Sequence, residues 1–285
     1  MYICGQKNIL SKIDYLIKEN KFPKFSLILG DYGFGKKVIS DYISRRLGTH
    51  FVPCGTKAED VKDVINDAYS VVEPTLYMFS DCDDMSSSSK NSLLKVTEEP
   101  PRNVYFIMTA CDKSSILDTI ISRAYTFQLE PYSQKDILDF VSNRALVFSG
   151  DDLNIVKNIC VCPNDALIAS TINISDVYSL ADKFIQFIGS ANLANELKIT
   201  QSLNLKKEES PDKIDPIIFL KCIIFCCNEY IIKDISTEDI RVFYNIINET
   251  RKALHDFTAK GANKQMCIDN WILNTHLSIV GGGNK

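Results

Sequence analysis

The sequence lacks the patterns that mark membrane, secreted and zinc-binding proteins. No window of about 18 apolar residues occurs in it, so we expect no transmembrane helix and no membrane partner. Residues 1–5 do not combine a basic with an apolar segment, so we expect no signal peptide. None of the ten cysteines forms a Cys-x-x-Cys pair, which predicts no zinc site and free thiols in a reducing cytoplasm.

The sequence also lacks an excess of positive charge. Its formal net charge of −4 argues against a free-standing nucleic-acid-binding protein, but leaves room for one basic surface within a larger assembly. The hydrophobic fraction of 45% is ample for packed cores. A length of 285 residues favours about two or three domains.

A glycine-rich stretch is the first candidate site. Residues 25–29 predict a short buried strand, Gly-Asp-Tyr-Gly-Phe-Gly-Lys-Lys follows at 30–37, and a helix is predicted to about residue 47. This context and spacing indicate a P-loop, whose backbone N–H groups surround a phosphate while its lysine reaches the outer phosphates. The candidate nucleotide-binding residues are Gly30, Gly33, Gly35, Lys36 and Lys37. Lys37 departs from the motif, because a Ser or Thr hydroxyl should stand there to hold Mg²⁺.

Two further apolar runs are each followed by a polar residue. Residues 76–79 and 104–108 predict buried strands that end near Asp81 and Thr109. Such strands alternate with helices, which predicts an α/β fold with a parallel sheet and a ligand site beyond the carboxyl ends of its strands. Asp81 is thus a candidate for holding hydrated Mg²⁺, and Thr109 for orienting a phosphate or a water. Each is equally well explained as an ordinary strand-end cap.

The residue after Asp81 argues against hydrolysis. A phosphate-hydrolysing site of this type pairs a metal-binding Asp with an adjacent Glu that activates water. Cys82 stands at that position, and a thiol is a poor base for water. The residues therefore predict a site that binds ATP or ADP with Mg²⁺ weakly or not at all.

The rest of the chain predicts mainly helices. Four serines at 86–89 are expected to cap a helix that keeps Lys90, Asn91 and Lys95 on or near its exposed face. The apolar helices near the C-terminus either pack on other subunits or form a self-contained core. We divide the chain into an α/β domain (1–130), a small helical domain (131–190), a linker (191–214), a domain of long helices (215–280) and a tail (281–285).

Three short segments resemble those of AAA+ clamp-loader subunits. Residues 91–101, Asn-Ser-Leu-Leu-Lys-Val-Thr-Glu-Glu-Pro-Pro, resemble the family segment Asn-Ala-Leu-Leu-Lys-x-Leu-Glu-Glu-Pro-Pro. Ser122-Arg123-Ala124 resembles the family's Ser-Arg-Cys motif, and Gly5-Gln6 resembles its Gly-Gln box, which lies near the adenine. The resemblance covers about residues 1–170. It is strongest to bacterial DNA polymerase III delta-prime subunits or a phage counterpart, without the four-cysteine zinc module that they often carry.

The resemblance implies a function and a role for Arg123. It implies an AAA+ domain, a helical lid and a helical collar within a hetero-pentameric clamp-loader ring in the cytoplasm. The ring's other subunits, the sliding clamp that it opens and the primer–template DNA that receives the clamp are the implied partners. Arg123 would be an arginine finger that acts in trans on a neighbouring subunit's ATP; the alternative is an ordinary ion-paired arginine. The family's nucleotide-sensing arginine has no clear match in residues 163–166.

Two other functions stay open at this point. A catalytically active AAA+ motor subunit would need Asp83 or Asp84 to replace the missing Glu. Side chains alternate in direction along a strand, however, so Asp83 is expected to point away from the site. An AAA+ adaptor outside replication would share the fold and differ in its partners.

Overall fold

The computed structural model describes residues 2–188, 214–233, 237–258 and 263–280. The chain divides into two compact units, residues 1–136 and residues 137–285. No helix in these described ranges is both long and apolar enough to cross a membrane.

The first unit is a five-stranded parallel sheet with helices in the connections. Its strands are β1 (Phe25–Leu29), β2 (His50–Cys54), β3 (Thr75–Phe79), β4 (Val104–Ala110) and β5 (Tyr125–Gln128). Its helices are α1 (Lys7–Lys18), α2 (Lys36–Leu47), α3 (Ala58–Ser70), α4 (Ser87–Glu98) and α5 (Asp118–Ile121). The strand order is β2-β3-β4-β1-β5 and every pair is parallel, which confirms the predicted α/β fold.

Burial on both faces explains why the strands are continuous apolar runs. All five residues of β1 and all five of β3 are buried, as expected for the inner strands of a sheet that helices cover. One face of the sheet packs against α3, α4 and α5. That core includes Phe25, Leu27, Val61, Tyr77, Phe79, Leu93, Val96, Phe106, Met108 and Ile120.

The second unit, within residues 137–285, is helical. Its helices are α6 (which begins at Gln134 and ends at Asn143), α7 (Gly150–Ile159), α8 (Pro163–Ala169), α9 (Ile174–Phe187), α10 (Pro216–Ile232), α11 (Thr237–Thr258) and α12 (Lys264–Val280). Its core joins three aromatic rings, in which Trp271 stacks on Phe184 at 4.8 Å and meets Phe219 edge-on at 6.2 Å. The indole N–H donates to the Thr250 hydroxyl at 3.0 Å.

Helices of the two predicted C-terminal domains share this core. Phe184 belongs to the segment predicted as a lid, and Phe219 and Trp271 to the one predicted as a collar. Much of the apolar surface of α10 is therefore buried inside the unit itself. The predicted boundaries at 130, 190 and 215 stay predictions. The predicted tail and all of the predicted linker (191–214) except residue 214 lie outside the described residues.

Two helices are shorter than their patterns indicated. The helix predicted from Ser133 to Phe148 ends at Asn143, because Ala145 takes a left-handed φ of 51° and the Leu146 N–H bonds back to the Val141 carbonyl. The helix predicted over 114–121 divides into a 3₁₀ turn, Lys113–Ser115, and α5. The backbone is extended at Leu117, with ψ of 136°, and this separates the two pieces.

Candidate functional site

The glycine-rich loop joins β1 to α2 and requires its glycines. Gly33 and Gly35 have φ of 82° and 81°, a left-handed conformation that only glycine adopts without strain. At Gly30 a side chain would place its Cβ 2.9 Å from the Cβ of Leu129. The Gly30 N–H donates to the Ala110 carbonyl at 3.2 Å, which anchors the loop to the end of β4. The loop thus has the backbone geometry of a phosphate cradle.

The P-loop lysine is buried and its ammonium group points back into its own loop. Lys36 Nζ donates to the Gly30 carbonyl at 2.6 Å and to the Asp31 carbonyl at 3.3 Å. It also lies 3.2 Å from the sulfur of Cys111, the residue that follows β4. The next residue, Lys37, is exposed at the start of α2. A second cation there supplies no oxygen ligand, so the donor set fits a phosphate better than it fits Mg²⁺.

The Gly5-Gln6 pair lies beside the P-loop. Gln6 is buried in a left-handed conformation, and its side-chain amide donates to the Glu130 carbonyl at 2.6 Å while accepting from the Glu130 N–H at 2.9 Å. Tyr132 connects this pair to the loop: its hydroxyl donates to the Phe34 carbonyl at 2.8 Å, and its ring would touch a Cβ on Gly5 at 3.0 Å. The sequence analysis did not identify Tyr132. The local signal for it was an aromatic residue directly after Pro131, where the second predicted domain begins.

Asp81 and Thr109 contact each other near the carboxyl ends of β3 and β4. The Asp81 N–H donates to the Thr109 hydroxyl at 3.1 Å. Thr109 is fully buried and lies within β4 instead of beyond it. Asp81 is exposed and has a left-handed φ of 52°, which an Asp tolerates better than most residues. The carboxyl ends of β3 and β4 therefore place the exposed carboxylate of Asp81 beside the buried hydroxyl of Thr109.

Cys82 occupies the expected place of the catalytic glutamate but faces the core. Its side chain is 0% exposed, and the thiol donates to the Phe79 carbonyl at 3.3 Å. Burial raises the pKa of this thiol to about 12. A neutral thiol turned into the apolar core does not activate a water at the sheet edge.

Asp83 holds the segment after β4 in place. Its carboxylate accepts from the Cys111 N–H at 2.8 Å, the Asp112 N–H at 2.9 Å and the Ser115 hydroxyl at 2.8 Å. Partial burial opposes ionisation, but these hydrogen bonds together outweigh it and lower the pKa of Asp83. Three donors thus occupy most of the acceptor positions of this carboxylate, and its lowered pKa makes it a weaker general base.

We expect Asp83→Asn to loosen this segment and to reduce the free energy of unfolding by about 1–2 kcal/mol at neutral pH. A carboxyl with a lowered folded pKa stabilises the fold above its ordinary value of 3.8, and that stability is lost as the pH falls through the folded pKa. Urea unfolding should therefore show a difference from the wild type at pH 7 that narrows below about pH 4. Asp63→Asn, on the exposed face of α3, is the control, and an equal loss in both variants would contradict the assignment.

Lys90 was predicted to be exposed, and that prediction is wrong. The residue is only 5% exposed. Its ammonium group donates to the Ser115 carbonyl at 2.6 Å and to the Asp83 carbonyl at 3.3 Å. It therefore braces the same segment that the Asp83 carboxylate holds. The predicted serine cap is confirmed, since the Ser86 hydroxyl accepts from the Ser89 N–H at 3.1 Å.

Arg123 lies near the amino-terminal ends of the strands, whereas the P-loop lies at their carboxyl ends. β1 and β5 pair from Ser26 with Tyr125 to Leu29 with Gln128. Gly30 follows β1 at the level of Leu129, whereas Arg123 lies in the turn before Tyr125, so about 13 Å of strand length separates their levels. The Arg123 guanidinium pairs with the Glu98 carboxylate at 2.6 Å and its side chain is 37% exposed.

Comparisons with known proteins agree with this geometry. The family model described as DNA polymerase III, delta subunit, matches residues 57–133. A DNA polymerase III gamma subunit from Buchnera aphidicola is 27% identical over 172 residues, which cover 50% of this chain and 47% of that protein. The delta-prime subunit of Bacillus subtilis is 39% identical over 64 residues, 22% of this chain and 20% of that protein. The chain thus spans about half the length, or less, of these relatives.

Two solved structures share the fold over most of the chain. A DNA polymerase III gamma subunit-related protein from Thermotoga maritima has a TM-score of 0.55 at 12% identity and covers 94% of this chain and 99% of its own. A RuvB mutant from the same organism also has a TM-score of 0.55, at 13% identity, and covers 93% and 88%.

The sheet order, the P-loop and the following helical region define an AAA+ fold of the kind found in RuvB. Within that class, the sequence matches make the chain similar to DNA polymerase III clamp-loader subunits, and residues 57–133 match the delta-subunit family model.

Proposed function

We propose that this chain is a structural and regulatory subunit of a clamp-loader ring in the cytoplasm. The ring, five subunits in our proposal, uses ATP to open a sliding clamp and place it on primer–template DNA. The chain's own nucleotide site does not hydrolyse ATP, and its contribution to hydrolysis is Arg123, which reaches the ATP of a neighbouring subunit.

The position of Arg123 carries this proposal. A half-exposed guanidinium at the amino-terminal ends of the strands lies about 13 Å in strand length from the P-loop at their carboxyl ends. An arginine side chain is shorter than that distance, so Arg123 serves no nucleotide held by its own loop. A second subunit that brings its P-loop to this edge receives the guanidinium in trans.

The geometry of the chain's own site supports the second half of the proposal. The thiol that replaces the catalytic glutamate is buried in the core, and the nearest alternative base, Asp83, is engaged by three donors. An exposed lysine replaces the hydroxyl that should hold Mg²⁺. ATP or ADP would meet the P-loop glycines and Lys36, but neither Cys82 nor Asp83 is placed to activate water.

We expect the isolated chain to hydrolyse ATP no faster than a buffer blank. The measurement is steady-state phosphate release from the purified chain, with Lys36→Ala as the control variant. Clear turnover that Lys36→Ala abolishes would contradict the proposal and favour the alternative, a catalytically active motor subunit.

The partner set tests the clamp-loader assignment itself. Affinity purification of the tagged chain, followed by mass spectrometry, should recover an ATP-hydrolysing AAA+ subunit, a clamp-opening subunit and the sliding clamp. Recovery of partners unrelated to replication would instead indicate an AAA+ adaptor and overturn the proposed role.

A further inference from the structure

The Arg123 guanidinium is held between the ends of two helices. Its Nη2 atom lies 2.6 Å from Oε1 of Glu98, the last residue of α4. Its Nη1 atom donates to the Thr119 carbonyl of α5 at 2.7 Å. The Arg123 N–H also donates to the Ile120 carbonyl at 3.1 Å, which extends the turn after α5. The backbone and both terminal nitrogens of this arginine are therefore fixed by contacts within the first unit.

Glu98 stands where a helix does not favour an acid. The last carbonyls of a helix carry partial negative charge, so a carboxylate at the end of α4 is locally unfavourable. The ion pair with Arg123 compensates for this placement. Thr119, in contrast, offers a carbonyl near the end of α5, where a cation is favoured. An acid at an unfavourable helix position that also contacts the candidate finger Arg123 indicates a specific role for Glu98.

The contacts leave part of the guanidinium available. An arginine has five N–H donors, and the Glu98 carboxylate and the Thr119 carbonyl engage one each on separate nitrogens. A weaker contact reaches the Ser122 hydroxyl at 3.4 Å. The side chain is 37% exposed, so the guanidinium is held from within the unit and is still accessible to a bidentate contact with phosphate oxygens.

We propose that Glu98 is a positioning residue for Arg123. The carboxylate holds the guanidinium against the end of α4 in the orientation that presents its free donors to a neighbouring subunit's ATP. This inference rests on the proposed trans action of Arg123 and adds the residue that orients it. Without Glu98 the arginine keeps its charge and loses its fixed direction, and misplacement of a catalytic group by about 1 Å is enough to slow a reaction severely.

The test is DNA-stimulated ATPase of the complete complex, reconstituted with each variant of this chain. We expect Glu98→Ala to lower kcat about tenfold and to leave KM for ATP unchanged, because the contact acts in the transition state. Glu98→Gln should retain most of the rate, since its amide oxygen accepts the same hydrogen bond. Glu99→Ala, which removes the adjacent exposed acid, is the matched control and should behave as the wild type.

A double variant separates positioning from a merely structural role. In the Arg123→Ala background, Glu98→Ala should cause no further loss, because there is no guanidinium left to orient. A normal or faster rate for Glu98→Ala beside a slow Arg123→Ala would overturn the positioning role and leave the arginine finger standing. A normal rate for Arg123→Ala would overturn the finger itself. Circular dichroism and recovery of the assembled complex confirm that each variant folds.

Discussion

Replacing Arg123 by Ala should slow ATP hydrolysis by the whole complex while leaving the complex assembled. Arginine fingers supplied by a neighbour contribute about 10³–10⁵ in rate at the site that receives them. Hydrolysis at that one interface should therefore nearly stop, and the complex should lose at least that site's share of its activity. The visible contacts of Arg123 form a half-exposed ion pair, of a kind that contributes at most about 1 kcal/mol to stability.

The measurement is ATPase of the reconstituted complex with primer–template DNA and clamp, beside size-exclusion analysis of assembly. Arg102→Ala is the matched control, because Arg102 is an exposed arginine of the same unit that lies outside the Ser-Arg-Ala motif. Arg123→Lys adds a test of geometry, since a lysine keeps the charge but cannot form the bidentate contact. An unchanged rate for Arg123→Ala in an intact complex would remove the finger assignment.

Local signals account for the parts of the fold that were predicted well. β1 has the bounds that its apolar run indicated, because a strand that is buried on both faces consists of consecutive apolar residues. The P-loop was recognisable because its glycines meet a local backbone requirement, the left-handed φ at Gly33 and Gly35. The serine cap of α4 is likewise a contact between residues three positions apart.

Contacts between distant residues account for what the sequence did not reveal. Lys90 was predicted to lie on an exposed helix face because the periodicity argument counts every lysine as polar. Its ammonium group instead donates to a carbonyl 25 residues away, and its aliphatic chain is buried. The hydrogen bond between the Gln6 side chain and the Glu130 backbone joins residues 124 positions apart. The partner of Arg123 was also hidden, since nothing in the pattern distinguishes Glu98 from Glu99 before α4 and α5 are packed.

The same distinction between local signals and distant contacts applies to Cys82. Replacement of the expected glutamate by Cys82 was visible in the sequence, but its orientation was not. A residue one position past Asp81 could equally have faced the P-loop. The structure turns the chain at Asp81, with φ of 52°, into a 3₁₀ turn that buries Cys82. The lack of hydrolysis that we propose would therefore depend on the backbone path as well as on the side chain.

Introducing a glutamate with Cys82→Glu should consequently destabilise the protein and should not produce hydrolysis. The introduced side chain is larger than the thiol and would enter a fully buried site in the core. Overpacking costs about 1–3 kcal/mol, and a buried carboxyl without adequate partners costs about 1–3 kcal/mol more. We therefore expect the free energy of unfolding to fall by about 2–6 kcal/mol at pH 7, with no gain in phosphate release.

Denaturant unfolding at several pH values tests the cause as well as the size of this loss. Burial raises the folded pKa of the introduced carboxyl, so its penalty grows as the pH rises above the unfolded value of about 4.3 and shrinks below it. Cys82→Ala is the control, because it removes the thiol without adding bulk or charge. A Cys82→Glu variant with wild-type stability and measurable turnover would contradict the assignment, since its carboxylate would then face the P-loop and the site would be only one residue from activity.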